Sequence, residues 1–182
     1  MVAIEERELL LQLRDNATRE AAFARLVKLY QRMLYFHIRR MVIVHEDADD
    51  VLQNTLVKAW RNIDRFRAES ALKTWLYRIA TNEALTFLNR KKKASYTGVE
   101  DLEDDLRHSL RAGRHIEGEE IQMRLQEAIL RLPERQRLVF NMRYFDEMKY
   151  DEMAEVLTLS TGALKASYHH AVKKIEKFLK EE

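Results

Sequence analysis

The chain has 182 residues, 46% of them hydrophobic and 34% charged, a size for one medium domain or two small ones and a balance that argues for folded modules over disorder. Cysteine is absent, which excludes disulfides, thiolate zinc sites and a cysteine nucleophile and fits a reducing cytoplasm. The net charge of +2 hides an asymmetry: residues 1–93 carry 18 basic and 12 acidic groups, residues 94–121 carry 3 and 8, and residues 122–182 carry 11 and 10.

One proline and four glycines, among abundant Leu, Glu, Lys, Arg and Ala, make all-α the expected class. No apolar run approaches membrane-spanning length, and the opening MVAIEERELL is too acidic for a signal peptide. Phe23, Leu26, Val27, Tyr30, Leu34 and Met41 follow a helical period after a possible cap at Asn16. A further helix starts near Asp47, where acidic side chains suit its positive end. It puts Leu52, Leu56, Ala59, Trp60 and Ile63 on one side. The opposite side shows Asp50, Gln53, Asn54, Val57 and Lys58, which is either an ordinary solvated face or a surface that docks on a partner protein.

Residues 64–93, DRFRAESALKTWLYRIATNEALTFLNRKKK, are the most informative stretch. A short polar loop runs into a long helix whose apolar side reads Leu72, Trp75, Leu76, Ile79, Ala80 and Phe87. The other side reads Thr74, Arg78, Thr81, Asn82 and Asn89, and it ends in the run Arg90, Lys91, Lys92, Lys93. Amides and hydroxyls can read base edges, cations can hold phosphates, and an aromatic-containing loop can receive an unstacked base. A plain amphipathic helix is the alternative.

Gly98, Gly113 and Gly118 fall in a stretch of weak periodicity that also holds Glu100, Asp101, Glu103, Asp104 and Asp105. We read it as an acidic flexible linker, 94–118, between domains at 1–93 and 119–182. In the second domain Ile121, Leu125, Ala128 and Leu132 predict one helix, and Pro133 suits the first position of the next. A short helix at Asp151 to Leu157, a break at Thr158 to Ser160 and a longer helix from Thr161 spell a helix-turn-helix, with Ser160 as cap. Leu164, Tyr168, Ala171 and Ile175 take the core phase, leaving Lys165, Ala166, His169, His170 and Lys173 outward. Adjacent histidines diverge by roughly 100° on a helix and do not chelate together. No P-loop, GxSxG, HExxH or dinucleotide turn appears, so no catalytic residue, metal site or cofactor is expected.

Taken together, these modules resemble a bacterial RNA polymerase sigma factor of the extracytoplasmic-function (ECF) subfamily, from about Ala22 to Phe178. DADDVLQNTLVKAW (47–60) is similar to the helix that binds core polymerase. FRAESALKTWLYRIATNEALTFLNRKKK (66–93) is similar to the regions that melt and read the −10 element. LPERQRLVFNMRYFDEMKYDEMAEVLTLSTGALKASYHHAVKKI (132–175) is similar to region 4, which reads the −35 element.

The resemblance implies two small helical domains, a region 2 bundle and a region 4 helix-turn-helix, in a cytoplasmic bacterial protein that is not an enzyme. It assigns Asp50, Gln53, Asn54, Val57 and Lys58 to core polymerase, whose β′ clamp helices and β flap are the implied contacts. Asn54 stands where a glutamate is more usual. Phe66, Arg67, Ser70, Lys73, Thr74, Arg78, Asn82 and Asn89 are assigned to single-stranded promoter DNA at −10, with the loop from Phe66 to Ala71 capturing a flipped base. Thr161, Lys165, Ala166, His169, His170 and Lys173 are assigned to duplex DNA at −35. Thr158 occupies a turn position where glycine is common. An anti-sigma factor is the implied regulatory partner, and no membrane insertion is implied. The alternative is a conventional helix-turn-helix regulator that binds duplex DNA without polymerase. A nucleotide-processing enzyme would need a catalytic set that the sequence does not display.

Overall fold

A computed structural model describes residues 2–66, 68, 70–94 and 117–180. Its contacts divide the chain into two compact units, Met1–Leu88 and Asn89–Glu182. Among the described residues there are eight α-helices and no strand. Arg67, the connector residues 95–116 with their acidic run, and the Ile121 side chain lie outside the described residues.

The first unit contains α1 (Val2–Arg14), α2 (Arg19–Val42), α3 (His45–Asn62), a 3-10 turn (Ile63–Arg65) and the start of α4 (Leu72–Ala94). Helix α1 buries Leu9 and Leu13. Burial of side chains of that size stabilises by about 1.5–3 kcal/mol each. The turn into α2 is capped at Thr18, not at Asn16. Asp15 Oδ1 accepts the Ala17 N–H at 3.0 Å, and the Thr18 hydroxyl donates back to the Gln12 carbonyl at 2.8 Å. That local bonding closes the turn without Asn16.

Helix α2 buries Leu26, Leu34 and Met41 as the period predicts, adding Ala22, Ile38 and His37. Phe23, Val27 and Tyr30 are half-buried. In α3 the buried stripe is Ala48, Val51, Thr55 and Ala59, continuing to Ile63; Ala59 and Ile63 are as predicted, whereas the predicted Leu52, Leu56 and Trp60 are half-buried. The inward positions are mostly small, and Thr55 disposes of its hydroxyl by donating to the Val51 carbonyl at 2.8 Å. Trp60 is instead covered by Phe23, 5.0 Å away edge to face, and by the Arg19 guanidinium 4.6 Å from its ring. Arg19 also bonds Asp64 at 2.8 Å and the Trp60 carbonyl at 2.9 Å, tying the start of α2 to the end of α3.

The second unit contains α5 (Glu117–Leu130), α6 (Glu134–Tyr144), α7 (Tyr150–Leu157) and α8 (Thr161–Lys180). Gly118, expected in the connector, is helical. Pro133 is the N-cap of α6, one position earlier than predicted. Ala128, Ile129, Leu132, Phe140, Ala171 and Ile175 form a core cluster. Phe140 is sandwiched nearly parallel between Tyr144 at 5.2 Å and Tyr168 at 5.8 Å. Tyr168 is therefore only half-buried, and burial raises its phenol above the ordinary range, with Tyr150 adding to the effect.

Candidate nucleic-acid interface

Helix α8 follows a turn whose chemistry is visible residue by residue. Helix α7 opens with the Glu152 carboxylate accepting the Lys149 N–H at 2.7 Å. It ends at Thr158, which is left-handed at φ 55° and ψ 47°. Ser160 Oγ then accepts the Ala163 N–H at 3.2 Å, the expected cap. Leu164, Ala171 and Ile175 are buried, which turns Lys165, Ala166, His169, His170 and Lys173 outward as one exposed stripe. Thr161 is half-buried at the start of that stripe. Two cations flank the Tyr150 ring, Arg143 at 5.3 Å and Lys165 at 5.7 Å, so Lys165 leaves α8 beside an aromatic wall. No group of three or more metal-ligating side chains occurs among the described residues.

In the first unit the loop from Phe66 to Ala71 is held at both ends by α1. The Arg14 guanidinium donates to the Phe66 carbonyl at 3.0 Å, and Glu6 accepts the Leu72 N–H at 2.7 Å. A carboxylate at that N–H also suits the positive end of α4. Between these anchors Ala68 adopts φ 57°. The acidic opening thus braces a loop some sixty residues away, a role its sequence does not announce.

Arg78, Asn82 and Asn89 are exposed along α4, and Lys73 and Ser70 are half-buried. Thr86 shares the exposed strip, its hydroxyl donating to the Asn82 carbonyl at 2.7 Å. Two of the expected DNA contacts are corrected. Phe66 is 4% exposed, its ring 5.3 Å from Trp75, and Thr74 is also 4% exposed. Both belong to the interior: Phe66 packs its ring on Trp75 from the loop, and Thr74 lies on a buried side of α4. Thr81, which the period put on the polar side, is buried too, with its hydroxyl 2.9 Å from His37 Nε2.

What the unit does present is a shallow cleft of about 310 Å³ lined by Lys58, Asn62, Arg65, Trp75, Ile79, Asn82 and Glu83. Its lining combines the largely buried Trp75 and the aliphatic Ile79 with two amides, two cations and one carboxylate, a set suited to a base with its phosphate. Sequence reasoning found Asn82 here and assigned Lys58 elsewhere. It missed Asn62, Arg65 and Glu83, which become neighbours only when α3 and α4 pack. On α3 itself Asp50, Gln53, Asn54, Val57 and Lys58 are all exposed.

Residues 26–94 match the Sigma-70 region 2 family, and residues 122–175 match Sigma-70, region 4. The chain is 30% identical over 168 residues to the ECF RNA polymerase sigma factor SigW of Bacillus subtilis, covering 88% of this chain and 90% of that one. The chain belongs to the ECF sigma factors. It is 33% identical to the RNA polymerase sigma-H factor of Pseudomonas aeruginosa over 87% of this chain and 86% of that one. The fold also matches the sigma factor RpoE from Bartonella quintana, solved with the anti-sigma factor NepR, at a TM-score of 0.67 and 19% identity, over 88% of this chain and 98% of that one.

As an ECF sigma factor the protein binds core RNA polymerase and directs it to promoters, and a conventional helix-turn-helix regulator is not favoured. Sigma factors are not an enzyme family. No helix among the described residues is long and apolar enough to cross a membrane.

Proposed function

We propose that this sigma factor divides promoter recognition between two functional domains, 1–93 and 119–182, joined by the acidic connector. The exposed α3 residues Asp50, Gln53, Asn54 and Val57 dock on the β′ clamp helices. The cleft beside Asn82, with Arg78 and Asn89 on the same strip, Lys73 in the first turn of α4 and Ser70 just before it, takes the unpaired strand at −10 together with Arg67. The exposed stripe of α8, Lys165 to Lys173, enters the major groove at −35. In this reading the second unit also meets the β flap.

The observation that carries the proposal is the cleft. Its mixture of ring, amide and cation suits an extruded base better than an intact duplex. Flipping a base costs a few kcal/mol, which the cleft returns only for a base that fits, so strands separate at one sequence without ATP. The protein itself turns nothing over, needs no cofactor or metal, and works in the bacterial cytoplasm. An anti-sigma factor, the kind of partner present in the RpoE complex, silences it by covering α3.

The test is run-off transcription with purified core polymerase, the full chain and genomic promoters. New start sites that depend on the chain are expected; their absence refutes the proposal. Asp50→Ala with Gln53→Ala is expected to weaken core association by about 30-fold or more, the scale of an interface hot spot, with the circular dichroism spectrum unchanged. Retained association would move the docking surface away from α3.

A further inference from the structure

Lys58 sits on the docking side of α3, yet its ammonium is paired with the Glu83 carboxylate of α4. The two ends of this ion pair differ in exposure, with the Lys58 side chain at 54% and Glu83 at 13%. That asymmetry fixes which partner depends on the other. An ammonium left alone is solvated, whereas a largely buried carboxylate left alone loses its partner where little water can replace it. Glu83 directly follows Asn82, and both line the same cleft with Lys58 and Arg65. The Lys58 carbonyl also accepts the Asn62 amide at 2.8 Å, holding a further cleft residue.

An unpaired carboxylate on that wall would repel the phosphates of any strand entering it. We propose that Lys58 serves the promoter-binding cleft and not the polymerase-docking face: it neutralises Glu83 and keeps the wall beside Asn82 acceptable to a polyanion. Lys58 is a positioning residue here, acting through Glu83. The inference rests on the reading of the cleft as the site of the unpaired strand.

A charge cycle in reconstituted holoenzyme tests it, using Lys58→Met, Glu83→Gln, the double variant and Asn82→Ala. Core affinity, promoter affinity and permanganate reactivity of the opened strand are measured for each. Lys58→Met is expected to lower promoter affinity roughly tenfold while changing core affinity less than about twofold. Glu83→Gln is expected to raise promoter affinity about threefold, because it deletes an anion near phosphate. The double variant restores the net charge of the wall and is expected to return close to the wild-type value.

Several results would overturn the assignment. Weaker core binding by Lys58→Met would put Lys58 back on the docking face. A double variant no better than Lys58→Met would mean that Lys58 touches DNA itself. Glu83→Gln as damaging as Lys58→Met would reduce the pair to a structural tie. If Asn82→Ala opens promoters like wild type, the strand-site reading fails and the role of the pair fails with it. If Asn82→Ala is impaired while Lys58→Met is harmless, only the pair is refuted.

Discussion

Helix α8 buries Leu164, Ala171 and Ile175 along one stripe and exposes Lys165, Ala166, His169, His170 and Lys173 along the other. Helix α4 buries Leu72, Thr74, Trp75, Leu76, Tyr77, Ala80, Thr81 and Ala84, leaving a narrow strip at Arg78, Asn82, Thr86 and Asn89. The first is a surface helix, free to lie along a duplex groove with several side chains in register. The second is embedded, and what it offers is a cleft at its edge. A convex row can read bases that stay stacked, and a recess can hold one that has left the stack. The proposed division of the two helices between different states of DNA rests on this difference in burial.

The strongest way to break this division is to damage one helix and leave the other. Leu164 is fully buried, so Leu164→Ala is expected to cost about 2–5 kcal/mol. Thermal unfolding should then show an early transition for the second unit, with loss of −35 duplex binding and retention of binding to a −10 fork junction. Simultaneous loss of both activities would show that the units do not stand apart energetically.

A smaller effect is expected at Asn82, exposed at the cleft. Removing a good base contact costs roughly 1–3 kcal/mol, so Asn82→Ala should slow opening by about tenfold or more. Closed-complex affinity, carried largely by phosphate contacts and α8, should change less. Equal losses in both steps would mean that Asn82 touches duplex DNA, and the contrast with α8 would dissolve. Ser160→Ala removes the hydroxyl that caps α8 and should destabilise the second unit by about 1 kcal/mol, with the first unit unmoved in the same melt.

The second unit was the more legible of the two. Its helix-turn-helix boundaries, the Ser160 cap and the outward stripe of α8 all follow from one-dimensional spacing, because a surface helix has one clear apolar side. Tyr168 keeps the predicted core phase, packed against the cluster and stacked on Phe140, yet it is only half-buried. In the first unit the spacing failed where burial spreads round the helix. Thr74 and Thr81 have polar names and interior positions, and Thr81 is satisfied by His37, 44 residues away in sequence. Phe66 looked available because it lies in a polar loop, but Arg14 and Trp75 hold it inside. Ala59 and Ile63 of the predicted α3 stripe are buried, but the early part of the stripe lies one step off, at Val51 and Thr55, which are less conspicuous than Leu52 and Leu56. The brace from α1, in which Arg14 and Glu6 bond the backbone at Phe66 and Leu72, and the Lys58–Glu83 ion pair are long-range contacts made by charged residues that any local pattern reads as solvated.

The smallest expected effect concerns the turn that sets the angle of α8, and there the sign is informative. Thr158 carries a β-branched side chain at φ 55°, where a Cβ costs roughly 1–2 kcal/mol. Glycine removes that strain but loses more backbone entropy on folding, about 0.5–1 kcal/mol. The difference favours Thr158→Gly by about 0–1.5 kcal/mol, equivalent to a rise of at most several degrees in the melting temperature of a unit this small. Because the change adds no contact to DNA, −35 affinity should hold while stability rises. A fall in stability would mean that the threonine side chain makes up its strain with packing in the turn. A fall in affinity alone would mean that the stiffness of a non-glycine turn helps aim α8, and rigidity would join exposure as a feature that separates α8 from α4 in the proposed division.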